Sequence, residues 1–174
     1  TLDVSGFDFA PYAGLKERVS ALGLAVLTYA DLETDPDRLV KLYDLDWLLY
    51  QDVPFGDTVT QISLEQFEAE FVGHAPDACF IAVRGEQFVG YSNLTQGGGY
   101  FLTAMTGVLP EYRGQGLATW LKLLGIRYAQ SHGNLEIRAV NDSGNTAMLA
   151  LNAKLGFKRR GAAIRFVKQV EEAL

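Results

Sequence analysis

One stretch limits what this chain can fold into more than any other. Residues 101–108 are apolar and Thr-rich. Val108-Leu-Pro-Glu-Tyr-Arg113-Gly114-Gln115-Gly116-Leu117-Ala118 follows, and Leu117, Leu121, Leu124 and Tyr128 then recur at helical spacing. The pattern predicts a strand, a short glycine-bearing loop and a helix start. First-turn amides of a helix have no partner inside it, and the macrodipole puts partial positive charge there. That geometry favours an anion. Gly114 and Gly116 remove side chains that would keep a phosphate from the backbone, and Arg113 adds positive charge.

Two phosphate-binding patterns are excluded. No G-x-x-x-x-G-K-[ST] run exists, and Gly114-Gln-Gly116-Leu-Ala-Thr119 lacks the third glycine of a dinucleotide fingerprint. The nearest downstream acid, Glu136, falls inside the next predicted strand. A plain helix start behind a flexible loop stays open on this stretch alone.

The remaining pattern gives the element order. Residues 24–29 read as a strand. Asp35-Pro36 reads as a helix start, with Val40, Tyr43, Trp47 and Tyr50 on one apolar face widened by Leu39, Leu42 and Leu49. Residues 51–61, with Pro54, Gly56 and Asp57, read as a loop. Ser63-Leu-Glu-Gln66 matches a capping box opening a helix with Leu64, Phe67 and Phe71 inward. Residues 78–84 and 87–94, joined by Gly85-Glu86, predict a hairpin. Gln96-Gly-Gly-Gly99 turns into residues 100–108, which completes an antiparallel meander. After the loop and its helix, residues 135–140 read as a strand parallel to 101–108. Asp142 or Ser143 is the expected cap of a last helix ending near Leu155, with Gly156 as terminator. Residues 157–160 and 163–168 are expected to close the sheet as paired strands. Residues 1–23 are expected to be a connector or docking segment, leaving 24–170 as the domain.

Asn145, Met148 and Asn152 share one side of that last helix, beside an apolar stripe of Ala147, Leu151 and Leu155. Asparagine is a mediocre helix former, and buried amides need partners. Either these amides meet a ligand or they face water.

Together the two motifs resemble the GNAT acetyltransferase superfamily. Arg113, Gly116 and Ala118 fit its [RQ]-x-x-G-x-[GA] signature, and Asn145 with Leu155-Gly156-Phe157 fits its Asn-bearing helix ending in L-G-F. Thr106-Gly107-Val108 before the loop and the spacing of Asn141, Asn145, Met148 and Asn152 resemble members that include tandem proteins. The resemblance covers residues 24–168. It implies an α/β (α+β) fold: a mixed, mostly antiparallel sheet of about six to seven strands that splays where two run parallel, with helices on both faces. It implies acetyl-CoA as co-substrate and no metal. The pyrophosphate would meet the amides of Gly114, Gln115, Gly116, Leu117 and Ala118, with Arg113 supplying charge. Val108 would meet the thioester, and Asn141, Asn145 and Asn152 would line the pantetheine arm. An amine of a small molecule or peptide would attack the thioester directly. A second such domain, or a homodimer, is an implied partner.

Two departures leave the catalytic residues unassigned. Many relatives carry a Tyr five residues before the final Phe as the acid for the departing thiolate; here that position is Asn152. Some keep a Glu base on the strand before the loop, and residues 102–109 contain none. Tyr91, Tyr100, Glu111 and Asp142 are candidates, and His74 and His132 fall at helix ends. Either the enzyme works by positioning and water, or the domain binds coenzyme A, or serves structurally, without turnover.

Composition supports one globular domain of 174 residues, 48% hydrophobic and 21% charged. No run is apolar enough to span a bilayer, and no basic cluster suggests nucleic acid. A cytoplasmic location is expected, since the start has no signal-peptide pattern. Cys79, the lone cysteine, lies in a strand-like apolar run and reads as an inert core thiol. The net charge of −6 is uneven: residues 1–90 carry −11 and residues 91–174 carry +5. The acidic half suits a cationic acceptor, or simply a soluble surface.

Overall fold

The computed structural model describes residues 1–54, 60–72 and 75–164. Six strands form one sheet: β1 (Leu2–Asp3), β2 (Ala25–Thr28), β3 (Cys79–Arg84), β4 (Gln87–Gln96), β5 (Phe101–Val108) and β6 (Glu136–Ala139). Their order is β1-β6-β5-β4-β3-β2. Every pairing is antiparallel except β5 with β6. Five helices accompany them: α1 (Leu15–Ala21), α2 (Arg38–Tyr50), α3 (Leu64–Val72), α4 (Leu117–Ser131) and α5 (Thr146–Lys154). This is the mixed sheet read from the sequence.

The meander forms because its links are short and correctly punctuated. Gly85 takes φ +60° between β3 and β4, a value open to glycine and strained for other residues. Side chains alternate across β4. Tyr91 and Asn93 face α2, while Ser92 and Leu94 face α4. Helices therefore cover both faces. α4 is buried on more than one stripe, through Leu117, Leu121, Leu123, Ile126 and Ala129, because α1 packs on it opposite the sheet.

The capping box is present: the Ser63 amide donates to Gln66 Oε1 (3.0 Å), and the Gln66 amide donates to Ser63 Oγ (3.2 Å). Phe67 is buried behind it; the Phe71 side chain, Gly56, Asp57 and His74 lie outside the described residues.

Several expectations need correction. α2 starts at Arg38, not at Asp35-Pro36, because Asp35 is engaged by the Asp37 amide (2.9 Å) and Lys41 (2.7 Å) in the turn before it. Its buried face is Leu42, Leu45 and Leu49, while Val40 is exposed. α5 is capped by neither Asp142 nor Ser143. Asp142 Oδ1 takes the Gly144 amide (2.7 Å) inside the preceding turn, and Asn145 Oδ1 takes the Met148 amide (3.2 Å) as the cap.

Residues 157–160 form no strand. The sheet is closed beside β6 by β1 instead, with Leu2 opposite Ile137, and Lys158 exchanges two 2.7 Å hydrogen bonds with Thr1. Residues 163 and 164 are irregular, and 165–168 lie outside the described residues. The first 23 residues bury Leu2, Val4, Leu15 and Val19 against this sheet and α4.

Candidate active site

The sheet opens where two parallel strands part. β5 pairs with β6 only through Phe101, Leu102 and Thr103, opposite Ile137, Arg138 and Ala139. Residues 104–108 have no strand partner on that side among the described residues. The Leu109 amide donates to Val89 O of the β3–β4 side at 2.9 Å. By strand alternation, the amide and carbonyl of Val108 face the gap. The carbonyl accepts from Arg113 Nε (2.9 Å); the amide is directed at whatever enters.

The loop sits at the mouth of this gap. The Arg113 amide is used, donating to Pro110 O (3.1 Å), and the first helical bond runs from the Trp120 amide to Gly116 O (2.9 Å). Between them, no hydrogen bond among the described residues engages the amides of residues 114–119. Gly116 precedes α4 at φ +88° with no side-chain cap. Six successive donors at an uncapped helix pole make a cradle suited to a diphosphate. The Gln115 side chain folds back onto Glu111 O (2.9 Å) rather than plugging the cradle.

The two loop glycines serve different ends. A Cβ on Gly114 would meet nothing within 4 Å, whereas one on Gly116 would lie 2.7 Å from Leu15 Cδ1. Gly116 therefore seats α1, and Gly114 keeps the open side of the cradle clear. Arg113 is tied down: besides the Val108 carbonyl, its guanidinium pairs with Asp52. It braces the loop to the end of β5, and its charge is partly offset.

The asparagines of the second motif separate. Asn145 caps α5. Asn152 is buried, and its Nδ2 donates to Asn141 Oδ1 (2.7 Å), tying α5 to the chain leaving β6. Asn152 Oδ1 is buried without a hydrogen-bond partner among the described residues. An orphaned amide acceptor beside the gap fits an entering N–H donor, which the pantetheine arm of coenzyme A carries twice.

Lys122, which no sequence pattern singled out, lies on α4 at the fork of the gap. It is 4% exposed, in a recess shared with Ser92, Thr103, Ile137 and Phe157. Its ammonium lies 5.3 Å from the centre of the Phe157 ring, and no carboxylate among the described residues pairs with it. Burial lowers its pKa to about 8.

On the opposite face, under α2 and α3, lies a cavity of about 260 Å³. Tyr43, Trp47, Tyr50 and Phe67 wall it, and Ala104 and Met105 of β5 form part of its floor. These floor residues lie in the half of β5 that β6 leaves uncovered. Tyr91 Oη donates to Asp46 Oδ1 at its base. Burial pushes the Asp46 carboxyl above its ordinary value; the Tyr91 hydrogen bond opposes this and the charge of Glu70 adds to it. Burial, then the Asp46 charge, raises the Tyr91 phenol well above its own. A β-bulge lies between Ser92 and Leu94, where Asn93 Oδ1 takes the Met105 amide (2.9 Å).

Of the described candidates read from the sequence, only Tyr91 enters this cavity. Tyr100 lies under the Arg138 guanidinium (3.7 Å), Glu111 is exposed, and Asp142 is spent in its turn. His132 caps the far end of α4. Asp46 was missed because a single acid between apolar helix positions looks like a solvated interruption; the only available signal was its place on a mostly apolar helix. No cluster among the described residues could hold a metal, and no described helix is long and apolar enough to cross a membrane.

Residues 39–157 match the acetyltransferase (GNAT) family. The chain belongs to that family. It is an N-acetyltransferase with acetyl-CoA as co-substrate. N-alpha-acetyltransferase 30 of Schizosaccharomyces pombe is 30% identical over 103 residues, 55% of this chain and 67% of that protein. In fold the chain is similar to the ribosomal-protein-S18-alanine N-acetyltransferase from Escherichia coli (TM-score 0.61, 15% identity, 79% of each chain). It is likewise similar to AAC(6')-Iy in complex with the bisubstrate analogue CoA-S-monomethyl-acetylneamine (TM-score 0.60, 17% identity), over 84% of this chain and 99% of that one.

Proposed function

We propose that this GNAT domain holds acetyl-CoA through the amides of Gly114, Gln115, Gly116, Leu117 and Ala118, with Arg113 bracing that loop. The Val108 amide takes the thioester carbonyl, and Asn152, supported by Asn141 and by Asn145 at the start of α5, takes an amide of the pantetheine arm. The row of unengaged amides at the mouth of the β5–β6 gap carries this reading. A donor fixed where charge develops on the carbonyl oxygen stabilises the transition state more than the ground state.

Lys122 fills the role for which relatives use a Tyr. Its ammonium, buried at the fork with no counter-ion among the described residues, offsets the charge on the sulfur as the C–S bond breaks. Residues 24–170 form the catalytic domain, with 1–23 a segment docked on it. The cytoplasm is the proposed compartment. A second domain of the same family, or a second copy, is the proposed partner; the outer edge of β1 ends the sheet on that side.

The test is calorimetric titration with coenzyme A alongside thiol release from acetyl-CoA. Gly114→Asp sets a carboxylate in the open side of the cradle and should weaken coenzyme A at least tenfold. Unchanged affinity in that variant places the diphosphate elsewhere.

A further inference from the structure

We infer that the cavity under α2 and α3 selects a primary ammonium carried on an apolar stem, with Asp46 recognising it and accepting its proton. This rests on the acetyl-transfer reading and names the acceptor class for it.

The described lining is mainly aromatic and acidic, with Thr60, Gln61 and Asn93 as neutral polar groups and Ile62, Ala104 and Met105 as further apolar surface. Tyr43, Trp47, Tyr50 and Phe67 supply aromatic walls, and the carboxylates are Asp46 and Glu70. Aromatic faces attract cations and accept apolar surface. No Lys, Arg or His lies among the described lining residues. An anionic acceptor would therefore meet two like charges and no cation among the described lining residues. At about 260 Å³ the space falls below the roughly 300 Å³ at which drug-sized ligand pockets begin. It suits one amine and a short stem, not a large polar sugar.

Position adds to composition. Asp46 lies on α2, held over β4 by the Tyr91 phenol, and the floor includes Ala104 and Met105 of β5. Those residues belong to the stretch of β5 whose other edge faces the gap. A nitrogen at Asp46 thus approaches the same strand that the thioester does. The Tyr43 hydroxyl donates to Ile62 O (2.5 Å), which pins the chain before α3 over the cavity.

The bound R–NH3⁺ gives one proton to the Asp46 carboxylate, which passes it to solvent. The freed lone pair bonds to the acetyl carbon and the C–S bond breaks. A second proton leaves the nitrogen and ends on the sulfur; the third stays in the amide. The groups facing Asp46 are Tyr91 from β4, Glu70 from α3, and Tyr43 and Tyr50 from its own helix. Tyr91 favours the carboxylate, and Glu70 disfavours it.

The experiment compares 2-phenylethylamine, its N,N-dimethyl derivative, 3-phenylpropionate and a tripeptide with N-terminal Phe. The amine is expected to release thiol, the dimethyl compound to compete without turnover, and the carboxylate to do neither. A lower KM for the tripeptide makes a chain's amino end the source; a lower KM for the amine makes it a free small molecule. Asp46→Asn should lower acceptor kcat/KM on the order of 100-fold, while coenzyme A affinity by calorimetry stays within twofold. Tyr91→Phe removes the bond that favours the carboxylate, so the acid limb of the pH profile should move to higher pH. Quenching of tryptophan fluorescence by the dimethyl compound reads the cavity without any transfer step, and should vanish in Asp46→Asn. Failure of coenzyme A to bind while this quenching persists condemns the acetyl-transfer reading and upholds the cation site. Wild-type kcat/KM in Asp46→Asn, or equal binding of ammonium and carboxylate, overturns the inference.

Discussion

Replacing Lys122 with Met should make the protein more stable at neutral pH, although a buried side chain is being changed. Lys122 is 4% exposed, and among the described residues its ammonium faces only the Phe157 ring and neutral groups. Its pKa falls from 10.5 to about 8. At about 1.4 kcal/mol per pH unit, the folded state binds that proton about 3 kcal/mol less firmly than the unfolded chain does. Between pH 8 and 10.5 the unfolded chain holds more protons, so stability rises with pH across that window. Below pH 8 the full penalty applies; above 10.5 both states are neutral and it disappears. Methionine keeps a straight, flexible stem in the same recess. Allowing for loss of the contact with Phe157, about 1–2 kcal/mol when desolvated, Lys122→Met should gain about 1–2 kcal/mol at pH 7. Urea melts of both proteins from pH 7 to 10.5 give the test, and their difference cancels every other titrating group. The advantage should shrink steadily above pH 8. A variant less stable than its parent at pH 7, with a pH-independent gap, would show that the cation is paired or solvated. A cation kept at such a cost is what a site for a departing thiolate requires, so the same variant should lose turnover while its melting point rises.

Other outcomes follow from single contacts. Gly116→Ala forces a left-handed residue and a contact of 2.7 Å with Leu15; it should cost roughly 1–3 kcal/mol, read by thermal melting. Gly114→Ala has open space and should cost only about 1–2 kcal/mol of backbone strain in the same assay. Ser63→Ala breaks the capping box and should lose about 1 kcal/mol in urea melts. Because α3 carries Phe67 and Glu70, acceptor KM should rise while coenzyme A affinity holds. Gly107→Ala would set a Cβ 2.8 Å from Leu49 Cδ1; α2 must shift, taking Asp46 with it, and steady-state kinetics should show the acceptor terms change more than those of acetyl-CoA.

The order of most elements could be read from the chain because local chemistry and burial agree there. Gly85 and Gly97–Gly99 punctuate three strands whose apolar runs are long enough to register, and Ser63 with Gln66 satisfies both ends of its own cap. The glycine-bearing turn between β5 and α4 was legible for the same reason: a strand, two glycines and a helix stripe follow one another within residues 101–128. The acceptor side was not. Asp46 and Tyr91 are 45 residues apart, and nothing local to either marks the pair. Their meeting depends on Leu49 lying close over Gly107, a contact between a helix and a strand 58 positions later. Lys122 was hidden differently. In a helix of ordinary amphipathic design, a lysine one place after a leucine reads as surface; here it faces the recess between Ser92, Thr103 and Ile137, with Phe157 against its ammonium.

The edge of the sheet shows why the fork lies where it does. β6 is four residues long, and Ile137 pairs with Phe101 on one side and Leu2 on the other. A two-residue strand such as β1 is too short for alternation to reveal, so it was read as part of a connector. With Leu2 and Val4 buried and the Val4 amide on Leu135 O (2.8 Å), β1 clamps the base of β6 and leaves its far end unsupported. Beyond Ala139 the chain turns away, and the 2.7 Å bond from Asn152 to Asn141 holds it to α5. Three residues of parallel pairing, fixed below by β1 and drawn aside above by α5, therefore set the width of the opening that the Val108 amide faces. Lengthening that pairing by even two residues would cover the edge of β5 on which the proposed chemistry depends.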